Sequence, residues 1–177
     1  MTVTKKIKKY AIILFCIYMF CLFWIVTLKC NLRTGVLDSR YFMSRFTLAE
    51  RMRFSLGKFT FSDIPDVLVN IVIFIPLGLI FPLIREKKPV LTSMVLGFSI
   101  SLAAEIFQII SCIGGFAYID LINNTLGAVL GALLYVYLIK RAKEKPVMIA
   151  LISAISAGAA LSVFAIVNTI INIDIYL

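Results

Sequence analysis

The chain has 177 residues, is 62% hydrophobic, and carries 18 Lys and Arg against 9 Asp and Glu, with no histidine. That apolar content is far above an ordinary soluble domain, and the length suits one compact helical membrane domain, 1–177, with no room for a separate soluble one. The net charge of +9 falls between apolar runs rather than along one basic face, so it reads as topology and not as nucleic-acid binding.

Lys5, Lys6, Lys8 and Lys9 precede the first apolar run, residues 10–28, in the order that a signal peptide would show. The run is bulky, holds Trp24 and ends without an A-x-A cleavage site. Lys29 precedes Cys30, where a lipoprotein signal needs a small residue. An uncleaved anchor is therefore expected, with Cys16 and Cys21 as small buried hydrophobes.

Residues 29–66 form the one sizeable extramembrane piece, with Asp38, Glu50, Asp63 and Asp66 opposing seven basic residues. Within it, 47–61 places Leu48, Met52, Leu56 and Phe59 on one helical face and Glu50, Arg51, Arg53 and Lys58 around the rest. That stretch is either an interfacial helix on the outer leaflet or an ordinary connector.

The second run, 67–84, is interrupted by Pro76 and Pro82, which free the carbonyls of Val72 and Gly78 one turn back. The third, 90–112, contains Glu105 and Gln108 on a stripe with Ser101 and Cys112. The fourth, 121–139, has Asp120 at its mouth, and Asn124, Gly127 and Gly131 lie within about 60° of it on a helical wheel. The fifth, 147–173, carries Ala150, Ala154, Gly158 and Ser162 every fourth residue. These small residues, and the G-x-x-x-G of Gly127 and Gly131, serve either internal packing or a homodimer.

Eleven of the 18 basic residues sit in three short segments: the N-terminal lysines, Arg85 to Lys88, and Lys140 to Lys145. The positive-inside rule then predicts an all-α, five-span bundle with its N-terminus inside and its C-terminus outside. In that topology Asn70, Glu105, Gln108, Asp120 and Asn124 converge on one depth near the outer face. Glu105 lies roughly 22 Å along its helix. Cys30 and Cys112 both emerge outside, so a disulfide between them is geometrically open, although no paired spacing calls for it.

A charge at mid-bilayer costs about 2.5–3.5 kcal/mol on insertion scales, so the two carboxylates need a partner, a proton or a function. One reading is a clasp in which Glu105 accepts from Gln108, Asn124 or Asn70. The other is a cavity open to the outside that binds a molecule or moves a proton. The lack of histidine, of G-x-S-x-G and of a metal-ligand cluster leaves no expected catalytic residue, cofactor or metal.

The segments NIVIFIPLG (Asn70 to Gly78), EIFQ (Glu105 to Gln108) and DLINNTLG (Asp120 to Gly127), followed by Gly131, resemble the VanZ-like family of small bacterial membrane proteins. The resemblance spans roughly residues 66–139. It implies a multi-pass protein of the bacterial plasma membrane, with antibiotic resistance in the form of tolerance to teicoplanin-type glycopeptides. The positions that carry over are Asn70, Glu105, Gln108, Asp120 and Asn124 as binding residues and Pro76, Gly78, Gly127 and Gly131 as structural ones. Two departures stand out. Gly114 and Ala117 occupy places where relatives have an Arg and an Asp, and the stretch Arg51 to Phe59 lacks the Asn and Pro of an Arg-x-x-Asn-Leu-x-Pro-Phe element.

The expected partners are membrane lipids and a lipoglycopeptide or lipid-linked cell-wall component, with a homodimer also open. Non-enzymatic recognition is the favoured function. A proton-coupled carrier acting as a homo-oligomer and an intramembrane enzyme using Glu105 and Asp120 are the alternatives.

Overall fold

The computed structural model describes residues 5–34, 64–111 and 116–141. They form four α-helices and no strand: α1 (Lys5–Thr34), α2 (Ile64–Ile84), α3 (Pro89–Ile110) and α4 (Tyr118–Arg141). Among the described residues, three segments are long and apolar enough to cross a membrane: Asp66–Ile84, Pro89–Ile110 and Tyr118–Leu138. The expected first run lies within α1, whose helical backbone continues to Thr34 rather than ending near residue 28. The fifth run, the 47–61 stretch, Arg51, Arg53, Cys112 and the glycine pair Gly114 and Gly115 lie outside the described residues.

α2 is the centre. It is apolar on every side, and such a helix finds its place in the interior; Ile73, Phe74, Leu77, Leu79, Ile80 and Leu83 are all buried. α1 runs antiparallel to it, pressing Ala11, Tyr18 and Leu22 against its flank. The Tyr18 hydroxyl donates to the Ile73 carbonyl oxygen at 2.7 Å. The carbonyl that Pro76 deprives of its donor is that of Val72, so the tyrosine takes the adjacent carbonyl.

α2 and α4 run parallel and meet backbone to backbone. A methyl group at Gly127 would overlap the Ile71 carbonyl oxygen, one at Gly131 the Ile75 carbonyl oxygen, and one at Gly78 the backbone of Ala128 and Ala132. The glycine hydrogens at those positions face carbonyl oxygens, the geometry of weak Cα–H···O contacts. Gly127 and Gly131 are thus occupied by α2, which settles their use as internal packing. In lipid, where apolar side chains gain nothing by leaving solvent, such close approach is what holds helices together.

A four-residue turn, Arg85 to Lys88, joins α2 to α3. Lys88 adopts the left-handed conformation (φ 48°), and Pro89 opens the helix where a missing N–H does no harm. α3 then runs antiparallel to both neighbours with an inverted pattern. Ser93, Gly97, Ser101, Glu105 and Gln108 are buried, while Leu91, Met94, Val95, Phe98 and Ile106 are exposed. A helix that hides its polar stripe and shows its apolar one is stable only where the surroundings are apolar.

One cysteine departs from expectation. Cys21 is half-buried, but Cys16 is exposed on α1. The cause is helical phase: Cys16 lies about 200° from Tyr18, which faces α2.

The chain direction sorts the charges. Lys5, Lys8, Lys9, Arg85, Lys87 and Lys88 gather at the end of the bundle where α1 and α3 begin and α2 stops. Asp66, Asn70, Glu105, Gln108, Asp120, Asn123 and Asn124 gather at the opposite end.

Candidate functional site

The end where α2 and α4 begin carries a polar cluster built from three helices. α2 contributes Asn70, α3 contributes Ser101, Glu105 and Gln108, and α4 contributes Asp120, Asn123 and Asn124. All are buried except Asp120, which is half-buried. Their convergence follows from the helix directions: α2 and α4 start at this end, and α3 finishes there.

The pairings differ from those that the sequence suggested. Glu105, only 3% exposed, accepts from the backbone N–H of Ala117 at 2.6 Å. The carbonyl of Ala117 in turn accepts from Asp120 and Leu121, so Ala117 is the residue from which α4 starts. Glu105 therefore caps α4 from a neighbouring helix, through a main-chain donor that the sequence did not suggest. The reason lies in where α4 begins. It starts at Tyr118, three residues before the expected boundary, and this brings an unsatisfied first-turn N–H within reach of α3.

Asn70 donates through Nδ2 to Asp120 Oδ1, linking α2 to the first turn of α4. Asn124 donates through Nδ2 to Ser101 Oγ at 2.8 Å, fully within the α3–α4 seam. The two polar stripes do face each other, with Ser101 as the partner of Asn124. Gln108 is buried one turn beyond Glu105 on the same face of α3.

Glu105 and Asp120 both lie at the N-terminal end of α4, where the aligned peptide dipoles present about half a positive charge. Each carboxylate also receives an N–H donor.

The cluster has vacancies as well. Asn123 Nδ2 and Asn124 Oδ1 are buried with no hydrogen-bond partner among the described residues. Asn123 is the residue that sequence reasoning missed. It stands at the same angle on α4 as the exposed Leu130, so its helix position looks outward-facing. Yet Asn123 is only 7% exposed. The one available signal was the Asn-Asn pair itself. A third vacant atom, Ser93 Oγ, lies about 12 Å down α3 from Ser101 and is separate from the cluster. Among the described residues no group of His, Cys, Asp and Glu is placed to hold a metal ion.

Comparison with known proteins gives a family match. A family model described as VanZ/LLP1 matches residues 14–141, a range that contains α2, α3 and α4 and every residue of the cluster. No curated protein and no solved structure matches the chain.

Proposed function

The chain belongs to the VanZ/LLP1 family, and from that membership we propose that it works in the bacterial plasma membrane as a non-enzymatic recognition protein. Its outward-facing polar cluster would bind the polar part of an amphipathic or lipid-linked molecule and thereby contribute to tolerance of teicoplanin-type lipoglycopeptides. The whole chain is one five-span domain in this reading, with the N-terminus inside and the C-terminus outside.

One observation carries the reading. Seven polar side chains from three helices converge at the end opposite the gathered Lys5, Lys8, Lys9, Arg85, Lys87 and Lys88, inside a bundle whose outer faces are apolar. The basic end fits the cytoplasmic side by the positive-inside rule, so the cluster belongs to the external side. Asn70, Glu105, Gln108, Asp120 and Asn124 are its proposed binding residues, and Pro76, Gly78, Gly127 and Gly131 its structural ones. A proton-coupled carrier or an acid–base enzyme would use the same two carboxyls, each of which accepts a hydrogen bond on one oxygen.

The test is expression of the chain in a teicoplanin-sensitive Gram-positive host, with protein levels matched across variants. Wild type should raise the inhibitory concentration of teicoplanin. Glu105→Gln, whose amide oxygen still accepts from Ala117, should keep most of that gain. Normal sensitivity in cells holding the wild-type protein at full level would remove the resistance role from this chain.

A further inference from the structure

The vacant atoms of the cluster specify what it takes. Asn123 Nδ2 is a donor and Asn124 Oδ1 an acceptor, both buried and both without a partner among the described residues. Burying a polar group without a hydrogen bond is costly, and native structures seldom leave two such atoms on adjacent residues. As the two amides are oriented, one donor and one acceptor are left, and a simple ion matches only one of them. A cation would leave the Asn123 donor unmatched, and an anion would leave the Asn124 acceptor unmatched while meeting Glu105 and Asp120.

Geometry narrows the choice further. Side chains of consecutive helical residues diverge by about 100°, so one hydroxyl oxygen is poorly placed to serve both. A trans secondary amide aims its C=O and its N–H in opposite directions. With bonds of about 2.9 Å on each side, it spans two partners on the order of 7–8 Å apart. Beside Asn123, Ile119 and Ile122 on α4 are exposed, giving an apolar surface for a chain.

We propose that Asn123 and Asn124 form a subsite for a neutral secondary amide borne on an alkyl chain, Asn123 donating to its carbonyl and Asn124 accepting from its N–H. This names the ligand chemistry of the proposed recognition site and rests on that reading. It also adds Asn123 to the binding residues.

The experiment uses the full chain, labelled with 15N-asparagine, in phosphatidylglycerol nanodiscs. Four probes are titrated: N-dodecylacetamide, dodecyl acetate, dodecyltrimethylammonium and dodecyl phosphate. The side-chain amide resonances of Asn123 and Asn124, assigned by their loss in Asn123→Leu and Asn124→Leu, are followed. N-dodecylacetamide should shift both saturably, at a mole fraction at least tenfold below the other probes. Each Leu variant should weaken that response at least tenfold. Asn123→Leu should at the same time melt no lower than wild type, because it removes an unmatched donor; a purely structural asparagine would melt lower and leave probe response alone.

Equal response to the ester overturns the proposal, since it has no N–H to give Asn124. A response confined to a charged probe also overturns it, while the recognition reading survives with another ligand. Silence at Asn70, Asn123 and Asn124 with all four probes means that the site holds water only, and both readings fall.

Discussion

The two ends of the α2–α4 contact are built on opposite principles. Along Gly78, Gly127 and Gly131 the helices touch backbone to backbone, and no side chain intervenes. Toward the helix starts, side-chain hydrogen bonds take over: Asn70 to Asp120 between α2 and α4, joined from α3 by Glu105 at the start of α4 and Ser101 against Asn124. The glycine seam has no room and no vacancy. The polar end keeps buried atoms without partners. A membrane bundle of this size cannot draw on hydrophobic association between helices, so close backbone packing and interhelical hydrogen bonds have to hold it together.

The contrast breaks most readily at the seam. Gly127→Leu should be the most damaging change, because its side chain would have to displace the Ile71 carbonyl. A cost on the order of 3 kcal/mol or more is expected from overpacking against backbone. Size-exclusion chromatography in mild detergent should show loss of the monodisperse peak. A normal peak with a normal melting temperature would show that α2 and α4 separate freely.

At the polar end effects should be graded by whether an acceptor survives. Glu105→Ala leaves the Ala117 N–H buried without its carboxylate and should cost about 1–3 kcal/mol. Glu105→Gln should lose well under half of that. Thermal unfolding of the pair, measured side by side, checks the order. Equal losses would mean that the charge, rather than the cap, matters at this position.

The smallest effect belongs to Tyr18→Phe, which deletes one hydroxyl bond to the Ile73 carbonyl. Interhelical bonds of this kind contribute about 0.6 kcal/mol within membranes. A drop in melting temperature several-fold smaller than for Glu105→Ala is expected. A loss matching that of Gly127→Leu would make the proline-interrupted region of α2, and not the glycine seam, the point on which the bundle depends.

Much of this was legible in the chain. Apolar runs interrupted by Lys and Arg announced helices of spanning length, and the stripes Ser101–Glu105–Gln108 and Asp120–Asn124–Gly127 announced which faces would meet. Helical phase is a local property, so sequence spacing reveals it. The partners were harder to read. Glu105 bonds to a main-chain N–H, which no side-chain pattern encodes, and its availability depended on α4 starting at Tyr118. Asn123 was passed over because its angle on α4 matches residues that face outward. Tyr18 was likewise silent, as its acceptor is a main-chain carbonyl on another helix.

By itself, then, the sequence determined the solvent, the helical class and the end of the bundle at which polar residues collect, because transfer energies and helical periodicity act residue by residue. Tertiary structure alone decided that Gly127 and Gly131 meet α2, that Glu105 caps α4, and that Asn123 and Asn124 hold atoms in reserve. Those outcomes depend on how closely two backbones approach and on which hydrogen-bonding groups are already matched. Both are properties of pairs of helices, and neither is contained in the spacing of residues along one.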